Sequence, residues 1–202
     1  MSSAMDTRAQ ETAHTSLPID YNKRLMLFSG RANPQLASDI ADKLGVDLGP
    51  VTLKTFSNGE VYCRYEESIR GADVFIVQST CGNPHTGITA NDALMELLLM
   101  IDAAVGASAH RVIAVTPWFG YSRQDKKSSP REPISARLVA RMLESAGADR
   151  VLTMDLHAGQ IQGFFQKPVD HMTALFILTQ YFGDLGLSDL VVVAPDAGRV
   201  KL

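Results

Sequence analysis

Short apolar runs alternate with amphipathic segments along most of the chain. The runs predict β-strands, and they lie at residues 24–28, 51–55, 61–65, 73–78, 111–116, 150–154 and 190–194. The amphipathic segments repeat apolar residues at helical spacing, and they predict helices near residues 34–44, 89–105, 134–145 and 172–181. Because strands and helices alternate, the pattern favours an α/β fold with an open, mainly parallel sheet flanked by helices.

The second and third runs are separated only by Phe-Ser-Asn-Gly-Glu at 56–60. Two β-branched or aromatic runs joined by Asn-Gly predict one β-hairpin. The hairpin turn alone accounts for these five residues, and the spacing favours that interpretation. In the alternative, Phe56 offers a flat face to a base, while Asn58 and Glu60 hydrogen-bond the edges of the base or a ribose.

A loop rich in aromatic and basic residues follows the run at 111–116. Trp118, Phe119 and Tyr121 are interleaved with Arg123 and with the lysines at 126–127. Aromatic faces can stack a nucleobase while cations hold its phosphates. Since open α/β sheets bind ligands at the carboxyl edge of their strands, we favour a ligand loop over a solvated one.

The segment 154–165 follows another predicted buried strand. His157 supplies a nitrogen that can bind a divalent metal or hold a proton near neutral pH, and Asp155 can place a charge beside it. Gly159 and Gly163 would let backbone amides approach phosphate oxygens. An ordinary polar turn explains the segment equally well. Asp196, after the last run, either joins His157 on a metal or caps a helix.

Composition excludes several classes of protein. The 202 residues are 46% hydrophobic and 20% charged, which is the balance of a globular protein, and the net charge of −3 gives no general attraction to nucleic acid or to membrane. Cys63 and Cys81 are too few for a disulfide framework, so we expect a cytoplasmic protein. No run is long and apolar enough to span a membrane. Residues 1–22 are polar and are expected to form a disordered tail, before an α/β domain at 23–180.

Six motifs occur in a fixed order along the chain. They are Phe-Ser-Asn-Gly-Glu at 56–60, Asn-Asp-Ala-Leu-Met-Glu-Leu at 91–97, Tyr-Ser-Arg-Gln-Asp-Lys-Lys at 121–127, Arg-Glu-Pro-Ile-Ser-Ala-Arg at 131–137, Asp-Leu-His-Ala-Gly-Gln-Ile-Gln-Gly-Phe-Phe at 155–165 and Pro-Asp-Ala-Gly-Arg at 195–199. Each motif is weak alone. Together they make residues 23–202 resemble the ribose-phosphate pyrophosphokinase family.

The resemblance implies a phosphoribosyltransferase-like fold and a defined reaction. The β,γ-diphosphoryl group of MgATP would pass to the 1-hydroxyl of ribose 5-phosphate, giving 5-phosphoribosyl 1-diphosphate and AMP. It also implies a homo-oligomer in which one subunit's hairpin reaches the ATP of its neighbour. The residues implied for ATP binding are Phe56, Asn58, Gly59, Glu60, Arg123 and Gln124, and those implied for Mg²⁺ are His157 and Asp196.

Three departures from the family pattern qualify the expected activity. Asn58 stands where many relatives have Asp, and the segment 82–89 looks longer than usual. The family's flexible catalytic loop and its ribose 5-phosphate loop are expected beyond Leu202, so residues 181–202 would begin a truncated second domain. The chain alone is then expected to be inactive or nearly so. The alternatives are a non-catalytic nucleotide-binding or regulatory subunit of a synthase assembly and, disfavoured by the ATP motifs, a phosphoribosyltransferase.

Overall fold

A computed structural model of the protein describes residues 24–194. A 3-10 helix at Gly159–Phe164 lies between two of the strands. The other elements, in chain order, are β1 (Leu25–Ser29), α1 (Pro34–Leu44), β2 (Val51–Thr55), β3 (Val61–Tyr65), β4 (Asp73–Val77), α2 (Ala90–Gly106), β5 (Arg111–Thr116), α3 (Ser135–Ala146), β6 (Arg150–Met154), β7 (Val169–Met172) and α4 (Leu175–Asp184).

Five of the strands form one parallel sheet in the order β1-β4-β5-β6-β7. The interior strands β4 and β5 are the continuous apolar runs, as expected for strands covered on both faces. β2 and β3 pair antiparallel as a separate two-stranded sheet. They lie between β1 and β4 in chain order only, since β1 and β4 are neighbours in the parallel sheet. The predicted α/β fold, with a mainly parallel sheet and one hairpin, is confirmed.

The sheet separates two apolar layers. On one face, Leu27, Val77 and Ile113 pack with the small residues Ala37 and Ala41 of α1. On the other face, the alternate strand positions pack with buried residues of α2 and α3 in a larger cluster. Because the strands are parallel, all their carboxyl ends meet at one edge of this layered core.

Local caps fix the boundaries of the first two helices. The side chain of Asn33 accepts from the backbone nitrogen of Leu36, and Gly45 ends α1 in the left-handed conformation. Thr89 and Asp92 form a reciprocal capping box at the start of α2. These local signals place the loops after β1 and β4 at the carboxyl edge of the sheet.

The hairpin is anchored at its open end and exposed at its turn. Leu53, Cys63 and Tyr65 pack against the larger core cluster. The Tyr65 hydroxyl donates to the carbonyl of Met100 at 2.8 Å. Residues 54–60 are exposed, so the turn extends away from the helix that supports the hairpin.

The half-buried position of Cys63 in this hairpin makes its thiol a poor nucleophile. Burial, followed by the nearby Glu96 carboxylate, raises the pKa of Cys63 to about 11. At about pH 8, roughly one such thiol in a thousand is the reactive thiolate. We expect iodoacetamide to alkylate Cys81 well before Cys63 at that pH, and Cys63 labelling to rise above about pH 10. Peptide mass spectrometry measures both rates, and equal rates at pH 8 would contradict the prediction.

Three local predictions are wrong. Residues 169–172 form strand β7 rather than the approach to a helix, because Asp170 and His171 hide the apolar pattern while the backbone pairs with β6. Helix α4 consequently begins at Leu175 and not at residue 172. Residues 190–194 form no strand within the described chain, where no neighbouring strand pairs with them and Val192 is 87% exposed.

The proposed domain limits fall partly outside the described residues. The tail at 1–22 and the site residue Asp196 both lie outside residues 24–194. The boundary predicted at 180/181 lies within α4, and the division into domains stays a prediction. Between residues 24 and 194, no helix has both the length and the apolar character needed to cross a membrane.

Candidate functional site

Two loops at the carboxyl edge of β5 and β6 enclose a cleft of about 250 Å³. Its lining residues are Trp118, Phe119, Ser122, Arg123, Met154, Asp155, Leu156 and His157. β5 and β6 are adjacent in the sheet, so their ends, Thr116 and Met154, are neighbours although they lie 38 residues apart in sequence. The cleft brings together Arg123 and His157, which were predicted from two separate motifs.

The loop after β5 depends on a close approach to the loop after β4. The backbone nitrogen of Gly120 donates to Oγ1 of Thr80 at 2.7 Å, and the backbone nitrogen of Thr80 donates to the carbonyl of Trp118 at 2.9 Å. A Cβ atom at Gly120 would overlap the carbonyl oxygen of Thr80. Glycine is therefore required here by space, and it sets the path of the chain toward Arg123.

Arg123 also lines a wider cleft of about 550 Å³, together with Gln124 and Cys81. The hydroxyl of Ser135, at the start of α3, donates to the side-chain oxygen of Gln124 at 2.5 Å. The backbone carbonyl of Gln124 accepts from Ala136. This anchoring leaves the amide nitrogen of Gln124 as the donor available to a ligand.

The loops on either side of the smaller cleft are tied to each other. The side-chain nitrogen of Gln160 donates to the buried carboxylate of Asp125 at 2.7 Å. Phe119 and Phe165 meet edge to face with ring centroids 5.9 Å apart. A buried charged hydrogen bond and an aromatic pair hold the two loops in one arrangement, so the cleft does not depend on a ligand for its shape.

Asp155 does not act as a free charge beside His157. Its carboxylate accepts from the hydroxyl of Thr173 at 2.8 Å and from the backbone nitrogen of Ala174 at 3.1 Å. Its backbone adopts φ 42°, in the left-handed region that Asp tolerates better than most residues. The carboxylate therefore fastens the exit of β7 to the loop after β6.

His171 supports the same loop from β7, a role that its sequence context did not reveal. Its Nε2 accepts a hydrogen bond from the backbone nitrogen of Leu156 at 3.0 Å. The contact fixes the backbone next to His157. The sequence pattern predicted a helix from about residue 172 and did not show the strand that carries His171.

The three aromatic residues after β5 have different environments. Phe119 is 4% exposed and belongs to the core, so the expectation that it could stack a base is wrong. Trp118 is 55% exposed and lines both clefts. The Tyr121 hydroxyl donates to the side chain of Asn91. Tyr121 is 37% exposed and lines the wider cleft, so Trp118 and Tyr121 are the aromatic faces of this loop that a ligand can reach.

His157 is the candidate metal ligand within the described part of the cleft. It is exposed at the cleft wall. Among residues 24–194, no three His, Cys, Asp or Glu side chains are clustered in a way that could hold a metal ion. The second predicted ligand, Asp196, lies outside those residues, so the predicted pair is not tested.

The hairpin residues predicted to bind ATP stand apart from both clefts. Phe56, Asn58 and Glu60 are exposed, and neither cleft is lined by a hairpin residue. The turn is ordered internally: the side-chain oxygen of Asn58 accepts from the backbone nitrogen of Glu60 at 3.1 Å, and Gly59 adopts φ 91°. Lys54 covers one face of Phe56, with its Nζ 5.0 Å from the ring centroid.

Comparison with known proteins assigns the family. A family model for the N-terminal domain of ribose phosphate pyrophosphokinase matches residues 25–147. The chain belongs to this family. A ribose-phosphate pyrophosphokinase of Corynebacterium efficiens is 55% identical over 95% of the chain, and one of Streptomyces avermitilis is 52% identical over 93%. The resemblance predicted from the six motifs is confirmed.

A solved structure supports the same assignment. Phosphoribosylpyrophosphate synthetase from Mycobacterium smegmatis aligns with a TM-score of 0.81 and 52% identity over 89% of this chain and 58% of that chain. The two curated pyrophosphokinases are each matched over 56% of their length. The chain therefore spans a little over half the length of its pyrophosphokinase relatives.

Arg31 follows β1 at the carboxyl edge of the sheet and has contacts that the sequence pattern did not predict. Its Nε lies 2.5 Å from an oxygen of Glu96, which is 1% exposed, and its terminal nitrogen donates to the hydroxyl of Thr55 at 3.0 Å. Glu96 interrupts an otherwise apolar helix segment, and a buried carboxylate requires a partner. A carboxylate within an apolar helix segment therefore indicates that Glu96 has a buried partner, although it does not show that the partner is Arg31.

Proposed function

We propose that this chain forms the ATP-binding part of a ribose-phosphate pyrophosphokinase. The complete enzyme would transfer the diphosphoryl group of MgATP to the 1-hydroxyl of ribose 5-phosphate and release AMP. The observation that supports this most directly is the shared cleft of Arg123 and His157, at the carboxyl edge of adjacent parallel strands. This chain spans 56% of the length of its pyrophosphokinase relatives, and we expect this part alone to show no turnover.

Arg123 suits the phosphate end of the nucleotide. Diphosphoryl transfer is promoted mainly by positioning and by fixed positive charge around the phosphates. A guanidinium group is always charged and can hold two phosphate oxygens at once. Because Arg123 lines both clefts, it can contact phosphates in one while Gln124 contacts the rest of the nucleotide in the other.

A magnesium ion fits the sparse donor set of the cleft. Mg²⁺ is usually held by one or two protein groups, with the remaining positions filled by water and phosphate oxygens. His157 would supply one contact, and Asp196 would supply a carboxylate. Asp155 is not assigned to the ion, because both of its carboxylate oxygens accept hydrogen bonds from the exit of β7.

The hairpin would complete the site of a neighbouring subunit. Phe56, Asn58, Gly59 and Glu60 are exposed and do not line the clefts of their own chain. A turn that is ordered internally and displayed away from the core is suited to contacting a second copy of the protein. In a homo-oligomer, Phe56 would face the adenine, and Asn58 and Glu60 would bond its edges or the ribose.

Substitution of His157 by alanine tests the metal role. We expect the affinity for ATP in the presence of Mg²⁺ to fall about tenfold, since the ion loses a protein contact and the triphosphate loses the bridge that the ion provides. Affinity for ATP in EDTA should be unchanged. Isothermal titration calorimetry with and without Mg²⁺ separates the two effects.

His110→Ala is the matched control for this experiment. His110 precedes β5 and pairs with Asp73 at 2.7 Å, at the opposite edge of the sheet. It should bind MgATP like the original chain. Equal loss of affinity in both variants, or no change in the His157 variant, would contradict the metal role. Adding ribose 5-phosphate to the same samples and following AMP tests the expected lack of turnover.

A further inference from the structure

The turn of the hairpin has a fixed internal shape but few attachments to the rest of the molecule. Phe56 and Glu60 are joined by a backbone hydrogen bond of 2.8 Å, and the nitrogen of Gly59 donates to the carbonyl of Phe56 at 2.9 Å. The anchoring contacts of the hairpin, such as that of Tyr65, lie near its open end. The direction in which the turn points therefore depends on what holds the last residues of β2.

Arg31 provides that attachment. Its terminal nitrogen donates to the hydroxyl of Thr55, the last residue of β2 and the immediate neighbour of Phe56. Within residues 24–194, it is the one side chain from outside the hairpin that hydrogen-bonds any of residues 54–61. The contact joins the turn directly to the loop after β1 at the carboxyl edge of the sheet.

Arg31 is itself held in place by a buried polar network. Glu96 accepts from the backbone nitrogen of Arg31 at 2.7 Å and from its Nε at 2.5 Å. Glu96 also accepts from the side chain of Gln78 at 2.9 Å, and Gln78 in turn accepts from the backbone nitrogen of Ala32. Both Glu96 and Gln78 are 1% exposed, so the network cannot be replaced by water without cost.

The geometry of the contact is specific to arginine. A guanidinium group presents separate N–H groups in a rigid plane, so Nε can hold Glu96 while a terminal nitrogen holds Thr55. A lysine ammonium could keep the ion pair, but it offers a single nitrogen for both acceptors. The side chain of Arg31 is 30% exposed, which places the Thr55 contact at the surface end of the buried network.

We propose that Arg31 is a positioning residue for the adenine end of the nucleotide site. By holding Thr55, it sets the direction in which Phe56, Asn58 and Glu60 are presented. The inference rests on the proposed function, in which these residues contact ATP on a neighbouring subunit. Arg31 itself touches no nucleotide; it keeps the turn in the conformation that binds.

Thr55→Val and Arg31→Lys test this role. Valine keeps the shape and strand preference of threonine but removes the hydroxyl acceptor, and lysine keeps the charge next to Glu96. We expect faster amide hydrogen exchange at Gly59 and Glu60 in both variants, and dissociation constants for AMP about fivefold higher, because the competent turn is populated for a smaller fraction of the time. Binding of inorganic tripolyphosphate with Mg²⁺ should change less than about twofold.

Thr52→Val is the matched control. Thr52 lies at the other end of the same strand, where its hydroxyl donates to Glu66 at 2.6 Å. The Thr52→Val variant should leave amide hydrogen exchange at the turn and the affinity for AMP unchanged. If Arg31 had a purely structural role, the Arg31→Lys and Thr55→Val variants would instead lose thermal stability. Their affinities for AMP and for tripolyphosphate would then fall equally.

Exchange at the turn decides the inference even without nucleotide binding. Unchanged exchange at Gly59 and Glu60 in both Thr55→Val and Arg31→Lys would overturn it. A Phe56→Ala variant separates it from the proposed function. If Phe56→Ala does not alter AMP affinity, the proposed adenine contact is wrong. If Phe56→Ala lowers the affinity for AMP but Thr55→Val and Arg31→Lys leave it unchanged, only the positioning role of Arg31 is overturned.

Discussion

Replacing Gly120 by alanine should both destabilise the fold and disturb the nucleotide cleft. The new methyl group would overlap the carbonyl oxygen of Thr80. Because this oxygen belongs to the backbone, it cannot move aside by a change of rotamer as a side chain can. The loop after β5 must then shift, and Arg123 and Gln124 shift with it. We expect the free energy of unfolding to fall by about 3 kcal/mol and MgATP affinity to fall by about tenfold or more. Urea unfolding and calorimetry measure the two effects.

Gly163→Ala is the control for this substitution. Gly163 lies in the 3-10 helix after β6, and no atom lies within 4 Å of a Cβ built on it. The same added methyl group should change the free energy of unfolding by less than about 1 kcal/mol. If Gly120→Ala is as stable as Gly163→Ala and binds MgATP normally, the close approach between the loops after β4 and β5 does not shape the site.

Replacing Glu96 by alanine should be the most damaging change in the polar network. Three donors, two on Arg31 and one on Gln78, would lose their buried acceptor. Removing one partner of a buried ion pair typically costs 3–5 kcal/mol, and the partial exposure of Arg31 puts the expected loss at about 3 kcal/mol. Urea unfolding measures this loss, and Glu96→Gln should lose less because its amide oxygen still accepts.

Glu67→Ala is the matched surface control. Glu67 pairs with Arg24 at 2.6 Å, nearly the same distance, but the side chains are 34% and 58% exposed. Exposed pairs contribute about 0–1 kcal/mol because water screens them and both side chains lose freedom. A loss in Glu96→Ala no larger than in Glu67→Ala would mean that burial adds nothing to the Arg31–Glu96 pair.

Local pattern predicted most of the fold. Four of the five parallel strands, β1, β4, β5 and β6, are short apolar runs. Such runs are typical of strands covered on both faces, so the sequence alone predicted them. Asn33 and Thr89 start their helices because their side chains satisfy free backbone N–H groups, an effect confined to three or four residues. The wrong predictions at 169–172 and 190–194 fall where strand formation depends on a partner. Polar β7 has one in β6, and the apolar run at 190–194 has none within the described residues.

Membership of the ribose-phosphate pyrophosphokinase family was determined by the sequence. Side-chain chemistry and motif order are properties of the chain, and they predicted Arg123, Gln124 and His157 as site residues without coordinates. The tertiary structure decided which residues meet. It placed Arg123 and His157 in the wall of one cleft and buried Phe119 in the core. It also paired Asp155 with Thr173, and Arg31 with Glu96 and Thr55. Contacts between residues so distant in sequence arise only from strand order and packing, which no local pattern of residues records.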